Sequence, residues 1–226
     1  MSLTRFNALQ TLETRVEPFP MELGEGPAEK IASYFGENVF TDEAMKKYLP
    51  ENAYLSVKAA IQSGQKLTRE VADDVAIGMK KWSEEKGCTH FAHWFQPLTG
   101  KTAEKHDSFF NLTHDGQVIE EFLGSALVQQ EPDGSSFPSG GMRSTFEARG
   151  YTVWDPSSPA FIMEVGDGKT LCIPTIFVTY GGEAQDYKLP LLRSQAFLDE
   201  SAVPVAQFFD SNINKITATL GWEQEY

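Results

Sequence analysis

Two strand-like runs separated by a short turn occupy residues 160–180, which read AFIMEVGDGKTLCIPTIFVTY. Ala160 to Val165 and Thr170 to Tyr180 are rich in the β-branched and apolar residues that favour strands. Between them, Gly166-Asp167-Gly168 favours a hairpin turn, because glycine adopts the backbone angles that tight turns need. Tyr151-Thr152-Val153-Trp154 is a further predicted strand. The stretch therefore predicts part of a small sheet.

Further strands are predicted upstream of this hairpin. The aromatic run His90–Phe95 and the segment Ser108–Leu112 both have strand-like composition. Val118–Leu127 is predicted as a short helix that crosses the sheet. Residues 131–141 are rich in glycine, serine and proline and are predicted to form a loop. The middle of the chain is thus an α+β module built on a small mixed sheet.

The N-terminal third is predicted to be helical. Residues 1–27 contain three prolines and are predicted to be an extension. Thr41 and Thr68 are N-cap residues, and Gly87 is a stop signal. The predicted helices cover 28–35, a segment from Thr41 to before Pro50, 52–63, and a segment from Thr68 to Gly87. The helical spacing of Val71, Val75, Met79 and Trp82 predicts core packing.

The C-terminal end carries the first candidate site. Helices are predicted over Leu191–Leu198 and Pro204–Leu220, and the second leads into a closing strand that contains Glu223 and Glu225. In a strand, residues i and i+2 share a face, about 6–7 Å apart. Two carboxylates at that separation can bind divalent cations. A solvated polar face is the alternative interpretation.

Composition excludes two classes of partner. The 226 residues contain 19 basic and 32 acidic side chains, which gives a net charge of −13, and 41% of the residues are hydrophobic. This composition is that of a folded globular protein, and it offers no basic face to nucleic acid or to anionic lipid. No apolar run is long enough to span a membrane and no signal sequence is evident, so a cytoplasmic location is expected.

The cysteines and histidines offer a zinc site as a second hypothesis. Cys88 lies near four histidines: His90, His93, His106 and His114. The spacing argues against zinc, because in a strand Cys88 and His90 share a face whereas His93 points the other way. Cys88 and Cys172 are expected to be reduced thiols, with a disulfide as the alternative.

The loop Asp133-Gly134-Ser135-Ser136 has two interpretations. Asp, Gly and Ser are typical turn residues, so the four alone predict a turn. A functional interpretation is that the loop places the Asp133 carboxylate over a neighbouring site. There it could bind an ammonium ion or accept a proton from it.

Several segments in the same order resemble the glutamine synthetases, and specifically their type III class. The resemblance rests on the Asp133–Ser136 loop, on the closing Gly221–Tyr226 strand, and on two long runs that are specific to type III. These runs are GCTHFAHWFQPLT at 87–99 and FPSGGMRSTFEARG at 137–150. The segments TVWDPSS at 152–158 and DYKLPLLRS at 186–194 add to it. The resemblance covers about residues 80–226.

The resemblance implies a set of roles. The fold would be a helical section over 1–87, a β-grasp-like domain over 88–185, and over 186–226 a helical connection into the first strand of a catalytic domain. Asp133 would bind and deprotonate ammonium in the adjacent subunit, and Ser136 would support the loop. Glu223 and Glu225 would bind Mg²⁺ or Mn²⁺.

The resemblance also implies the reaction and the assembly of a full-length enzyme. ATP would phosphorylate glutamate, ammonia would displace the phosphate, and the subunits would form a homo-oligomer, a dodecamer in this class. The other ligands of such an enzyme belong to a catalytic domain after Tyr226, so this chain alone is expected to be inactive. Two alternatives stay open: a γ-glutamyl-amine ligase fragment and a non-catalytic β-grasp assembly module.

Overall fold

The computed structural model describes residues 34–64, 66–98, 102–132 and 150–221, together with residues 3, 4, 7, 10 and 11. Its helices are α1 (Asp42–Tyr48), α2 (Glu51–Ser63), α3 (Arg69–Glu85), α4 (Gly124–Val128) and α5 (Lys188–Ala206). Its strands are β1 (His90–Phe95), β2 (Ala103–Ser108), β3 (Phe110–Leu112), β4 (Val118–Glu120), β5 (Gln129–Gln130), β6 (Gly150–Trp154), β7 (Phe161–Val165) and β8 (Gly168–Thr179). The described part is therefore a mixed α/β structure.

Three of the predicted N-terminal helices are confirmed as α1, α2 and α3, whereas most of the predicted helix 28–35 and most of the predicted extension 1–27 lie outside the described residues. The hydroxyl of Thr41 accepts a hydrogen bond from the Ala44 N–H at 3.3 Å, and the hydroxyl of Thr68 accepts one from the Val71 N–H at 3.4 Å. Each bond satisfies an N–H that has no partner inside the helix. Gly87, with φ +90°, follows α3 and lets the chain turn into β1.

The main sheet has the strand order β2-β1-β8-β6-β5, with β7 also paired to β8. β1 and β8 are parallel, and the other pairs are antiparallel. The β7–β8 hairpin turns at Gly166, which has φ +60°, as the sequence predicts. β3 and β4 form a separate two-stranded hairpin. The predicted mixed sheet is confirmed.

β8 is the central strand because three other strands pair along its length. β1 pairs with residues 170–174, β7 with 168–172 and β6 with 175–179. Beyond the end of β1, the Gln185 N–H donates to the Phe177 carbonyl at 3.0 Å, and the Leu98 N–H donates to the Gln185 carbonyl at 3.1 Å. The segment before α5 is thereby bonded to both β8 and the chain that follows β1.

One hydrophobic core joins the helices to the sheet. Val75, Met79 and Trp82 of α3 are buried, which confirms the predicted apolar stripe. They share a cluster with buried side chains of the sheet and of its connections: Phe40, Phe91, Phe109, Phe122, Leu127, Trp154, Leu171 and Ile173. Burial of these apolar side chains is the main favourable term in folding. The proposed division at residues 87 and 185 stays a prediction.

The predicted strand Ser108–Leu112 is wrong in its bounds. The polar stretch before it forms β2, which pairs with β1 over six residues, and a separate strand begins at Phe110. β2 occupies the edge of the sheet, and Ala103 is its only buried residue. Charged residues are common on edge strands because they discourage pairing with other chains, so β2 lacks an apolar pattern.

The predicted helix Val118–Leu127 is also wrong. Its first three residues form β4, paired with β3, and the helix α4 begins only at Gly124. A side chain at Gly124 would lie 2.5 Å from the backbone nitrogen of Asp73, so only glycine allows α4 to pack this closely on α3. The Gly124 N–H donates to Asp73 Oδ1 at 2.8 Å. Pairing with β3 and contact with α3 therefore determine the secondary structure of residues 118–127.

The C-terminal helices differ from the prediction as well. α5 runs without a break from Lys188 to Ala206, with Pro204 in its last turn, and no helix covers the following residues to 221. Asp210 Oδ1 accepts from the Asn212 N–H at 2.9 Å. Short polar side chains that bond to nearby backbone compete with the helix in this way. Among the described residues, no helix combines the length and apolar character needed to cross a bilayer.

Candidate functional site

The four residues with predicted chemical roles lie outside the described part of the chain. Asp133 and Ser136 belong to the segment 133–149, and Glu223 and Glu225 belong to the segment 222–226. The structure does describe the residues that flank both segments. β5 and β6 precede and follow the first, and α5 with the residues to 221 precedes the second. The described residues of a candidate site are therefore those that flank these two segments.

A buried hydrogen-bond chain lies beside the segment 133–149. Gln130, in β5, pairs with Thr152, in β6. The Thr152 hydroxyl donates to the Gln130 backbone carbonyl at 3.1 Å, and His93 Nδ1 lies 2.7 Å from the same hydroxyl oxygen. His93 and Thr152 are both fully buried. Three strands that are distant in sequence are thus joined through side chains.

The Thr152 hydroxyl oxygen lies within hydrogen-bonding distance of both the Gln130 carbonyl and His93 Nδ1. When the hydroxyl donates to the carbonyl, its oxygen accepts from His93, and Nδ1 then carries the proton. Nε2 has no hydrogen-bond partner among the described residues. Burial lowers the pKa of His93 to about 4, although the backbone of Ala126 and Leu127 opposes part of the shift. The imidazole is therefore neutral at physiological pH.

Gly150, the first described residue after the segment 133–149, is also the first residue of β6. It pairs with Thr179 in β8. A Cβ atom at this position would lie 2.0 Å from the Val178 carbonyl oxygen, far inside contact distance. Only glycine allows the two backbones to approach so closely. The described strands on either side of the segment are therefore held: Gln130 by Thr152, and Gly150 by this contact.

A second buried polar group connects the end of β6 to the start of α5. The Asp155 carboxylate accepts from the Ser157 N–H at 3.0 Å and from the Ser157 hydroxyl at 2.6 Å. Lys188 forms an ion pair with Asp155 and donates to the Ser158 hydroxyl. Burial alone would raise the pKa of Asp155, but hydrogen bonds from Lys188 and Ser157 outweigh it and lower the pKa.

Asp186 forms the joint between β8 and α5. Its side chain is fully buried, and each carboxylate oxygen accepts one backbone N–H. Oδ1 accepts from Leu189 at 2.8 Å, and Oδ2 accepts from Phe177. Burial raises the pKa of Asp186, and backbone hydrogen bonds from Leu189, Phe177 and Lys188, together with the charge of Lys188, oppose part of that rise. The carboxylate caps the first turn of α5 and fixes where the helix leaves the sheet.

A cleft lies between α5 and the ends of α2 and β6. It encloses about 830 Å³ between the end of α2, the end of β6, α5 and residues 215–218. The Ile216 N–H donates to Asp199 Oδ1 of α5 at 2.6 Å, which holds the last described segment against the helix. α5 has no buried residue, and Phe197, Phe208 and Phe209 are mostly exposed. This part presents apolar surface to solvent.

The candidate zinc ligands have other contacts in the structure. His90 Nδ1 lies 2.7 Å from the Thr89 hydroxyl, and His106 Nε2 lies 2.8 Å from a Glu104 carboxylate oxygen. Cys88 and Cys172 are free and buried, and burial raises the pKa of Cys88 to about 11 and that of Cys172 to about 12. Within the described ranges, no three His, Cys, Asp or Glu side chains are grouped for a metal ion.

The sequence indicates His93 only as a possible zinc ligand and predicts no role for the buried Thr152, Asp155 and Asp186. A signal for His93 exists, because alternation in β1 places it on the same face as Phe91 and Phe95, which are both buried. A histidine between two core phenylalanines is expected to be buried and hydrogen-bonded. No comparable local signal marks Asp155 or Lys188, since each gains its partner only through the tertiary fold.

Comparison with known proteins identifies the class to which the chain belongs. The family model described as "Glutamine synthetase type III N terminal" matches residues 31–194. The match covers most of the described helices and the whole main sheet. The chain therefore belongs to the family of type III glutamine synthetase N-terminal regions, which confirms the resemblance inferred from its motifs.

Individual relatives agree with this assignment. The whole chain is 53% identical over 226 residues to a glutamine synthetase of Bacteroides fragilis and 44% identical over 229 residues to a type-3 glutamine synthetase of Dictyostelium discoideum. A glutamine synthetase of Butyrivibrio fibrisolvens is 34% identical over 206 residues, which cover 88% of the chain. The alignments span 30%, 31% and 28% of these relatives, so the chain corresponds to less than a third of their length.

Proposed function

We propose that this chain is the N-terminal portion of an ATP-dependent glutamate–ammonia ligase. The supporting observation is the 53% identity, over the whole chain, to a protein named glutamine synthetase. In such an enzyme ATP phosphorylates the side-chain carboxylate of glutamate, and ammonia displaces the phosphate to give glutamine. The chain by itself is expected to be inactive, because it corresponds to 30% of that relative.

Asp133 is proposed to act on ammonium. A carboxylate can bind the cation and accept its proton, which leaves ammonia with the lone pair that attacks the phosphorylated carboxylate. Ser136 is proposed to support the segment that carries Asp133. In support, both strands that flank the segment are fixed: Thr152 bonds to Gln130 before it, and Gly150 packs against β8 after it.

Glu223 and Glu225 are proposed to bind Mg²⁺ or Mn²⁺. Carboxylate oxygens are hard donors and suit these cations. The bound ions would neutralise phosphate charge during phosphoryl transfer. In support, the capping of α5 by Asp186 and the contact of Ile216 with Asp199 hold the chain that leads towards these residues.

The finer features of the architecture belong to the same proposal. The main sheet is proposed to be the β-grasp-like domain of this class, spanning 88–185. The full-length enzyme is proposed to be a cytoplasmic homo-oligomer, a dodecamer in this class, with glutamate, ammonium and ATP as substrates. Exposed apolar residues of α5 are consistent with a further domain or subunit against this helix.

A chimera tests the proposal. This chain would replace the aligned N-terminal 30% of the Bacteroides fragilis relative, and ATP-dependent glutamine formation would be measured. An active chimera is expected. Asp133→Ala in the chimera is expected to raise the KM for ammonium by about tenfold or more, as loss of one charge-assisted interaction implies, while the KM for ATP changes little.

Asp167→Ala is the matched control, because Asp167 lies in the exposed turn between β7 and β8. Its kinetics are expected to equal those of the parent chimera. A folded chimera without glutamine synthesis would contradict the ligase assignment. If the chimera prefers an alkylamine to ammonium, the γ-glutamyl-amine ligase hypothesis replaces the glutamate–ammonia ligase assignment. Unchanged ammonium kinetics in the Asp133→Ala chimera would remove only the role of Asp133.

A further inference from the structure

The strand that leads into segment 133–149 is held by very little backbone pairing. β5 contains only Gln129 and Gln130, which pair with Val153 and Thr152 of β6. A two-residue pairing contributes few ladder hydrogen bonds, so such a strand end frays readily. Any additional contact at Gln130 therefore has a large share in fixing the backbone at this point.

That additional contact comes from two buried side chains. The Thr152 hydroxyl donates to the Gln130 carbonyl at 3.1 Å, in addition to the strand pairing, and His93 Nδ1 lies 2.7 Å from the hydroxyl oxygen. His93 and Thr152 are fully buried, so water cannot replace either bond without opening the sheet. His93 belongs to β1, which pairs with β8 and β2 and lies firmly inside the sheet.

We propose that His93, acting through Thr152, is a positioning residue that fixes the backbone at Gln130 and with it the start of the segment carrying Asp133. The inference rests on the proposed role of Asp133 in ammonium binding. His93 touches no substrate in this scheme. It orients the Thr152 hydroxyl towards the Gln130 carbonyl, because a hydroxyl oxygen that accepts from Nδ1 has its own proton free for that carbonyl.

The position of the donor on residue 93 distinguishes this role from simple packing. An asparagine places its side-chain N–H near the position of histidine Nδ1, whereas a glutamine places it near Nε2. His93→Asn therefore retains a donor for the Thr152 hydroxyl, and His93→Gln does not. His93→Leu fills the space without any donor. A packing role predicts that glutamine or leucine, which are closer to histidine in volume, is tolerated better than asparagine.

The first test uses the 226-residue chain alone. Amide hydrogen exchange at residues 129–130 and 152–153 is expected to accelerate about tenfold in His93→Gln and His93→Leu, the factor that corresponds to one lost hydrogen bond, and by less than about twofold in His93→Asn. Exchange at 162–164 in β7, which pairs with β8 and not with β1, serves as the internal control and stays unchanged. In the unsubstituted chain, ¹⁵N NMR is expected to show a proton on Nδ1 of His93 and none on Nε2.

The second test uses the chimera described above. His93→Gln and Thr152→Val are expected to raise the KM for ammonium several-fold while the KM for ATP stays within about twofold, and His93→Asn is expected to restore the ammonium value. The double variant His93→Gln/Thr152→Val is expected to be no worse than the more affected single variant. Residues that act as one unit show this lack of additivity.

The outcomes separate the two proposals. An inactive chimera contradicts the ligase assignment, while the exchange and NMR measurements still decide whether His93 fixes Gln130. The inference is overturned if exchange is equal in the asparagine, glutamine and leucine variants, or if it accelerates throughout the sheet in proportion to lost stability. It is also overturned if exchange at 129–130 accelerates but the ammonium KM of an active chimera does not change.

Discussion

Lys188, at the start of α5, forms an ion pair with Asp155, at the end of β6, in a largely buried setting. The exposed fraction of the side chain is 25% for Lys188 and 7% for Asp155. The pair joins the sheet to the helix that leads to the C-terminal segment. Water screens such a pair poorly, so each charge depends on the other.

The first prediction concerns this ion pair. Lys188→Met leaves the Asp155 carboxylate buried without its cation, so the free energy of unfolding is expected to fall by about 2–3 kcal/mol. Urea denaturation measures the change. Lys46→Met is the matched control, because Lys46 pairs with Asp42 at 2.7 Å on the surface, where the side chains are 58% and 40% exposed. A similar loss in both variants would contradict the proposed dependence on burial.

Gly150 gives the second prediction. Gly150→Ala places a methyl group 2.0 Å from the Val178 carbonyl oxygen, so β6 must move away from β8. A loss of about 3 kcal/mol or more is expected from this overlap. In Gly168→Ala, the matched control in β8, the nearest atom is 3.5 Å away, and a change within about 1 kcal/mol is expected. Equal melting temperatures for the two variants would refute the close approach.

Asp186 gives the third prediction, in which the number of acceptors decides the result. Both carboxylate oxygens accept backbone N–H groups, from Leu189 and Phe177. Asp186→Asn replaces one acceptor by a donor that faces an N–H, so a loss of about 2 kcal/mol is expected. Asp210→Asn is the control, because only one oxygen of exposed Asp210 is used, and asparagine retains one acceptor. Chemical denaturation of both variants compares them.

The fourth prediction is a pH dependence caused by His93. Its pKa is about 4 in the folded chain, against an ordinary value of 6.5, so between these values the unfolded chain binds the extra proton. Stability therefore falls as pH falls below about 6.5, and the loss amounts to about 2 kcal/mol by about pH 5. His93→Asn lacks this titration. As the pH falls to about 5, the difference in unfolding free energy between the unsubstituted chain and His93→Asn should shrink by that amount. A difference that stays constant with pH would contradict burial of a neutral imidazole.

The fifth prediction concerns the thiols. Burial raises the pKa of Cys88 to about 11 and that of Cys172 to about 12, so almost no thiolate forms at about pH 8. Iodoacetamide is expected to label neither cysteine in the folded chain and both after denaturation. Mass spectrometry of the alkylated chain measures this. Rapid labelling of the folded chain would show that these residues are not buried.

Local sequence signals predicted the elements whose formation depends on local interactions. Thr41 and Thr68 cap helices because their hydroxyls reach backbone N–H groups three residues ahead. β1, β6, β7 and β8 carry the apolar patterns of strands with buried faces. Elements with weak local signals were mispredicted. β2 is an edge strand of polar residues, and β4 is too short for any period to be evident.

The same distinction between local sequence signals and tertiary contacts applies to the candidate site. Motifs identified the family and proposed roles for Asp133, Ser136, Glu223 and Glu225, which stay predictions because they lie outside the described residues. The buried groups around the flanking strands could not be predicted. His93 and Thr152 are 59 positions apart. No local pattern connects residues at that separation, since their contact exists only when β1, β8 and β6 assemble.

Local patterns in the sequence were sufficient to predict the family, the helices α1, α2 and α3, and the strands β1, β6, β7 and β8, because capping, periodicity and motifs act over a few neighbouring residues. Only the tertiary structure decided that Lys188 meets Asp155, that Asp186 caps α5 between two elements, and that His93 reaches Gln130 through Thr152. Polar groups removed from water must find partners, and the identity of those partners depends on which strands and helices the fold places side by side.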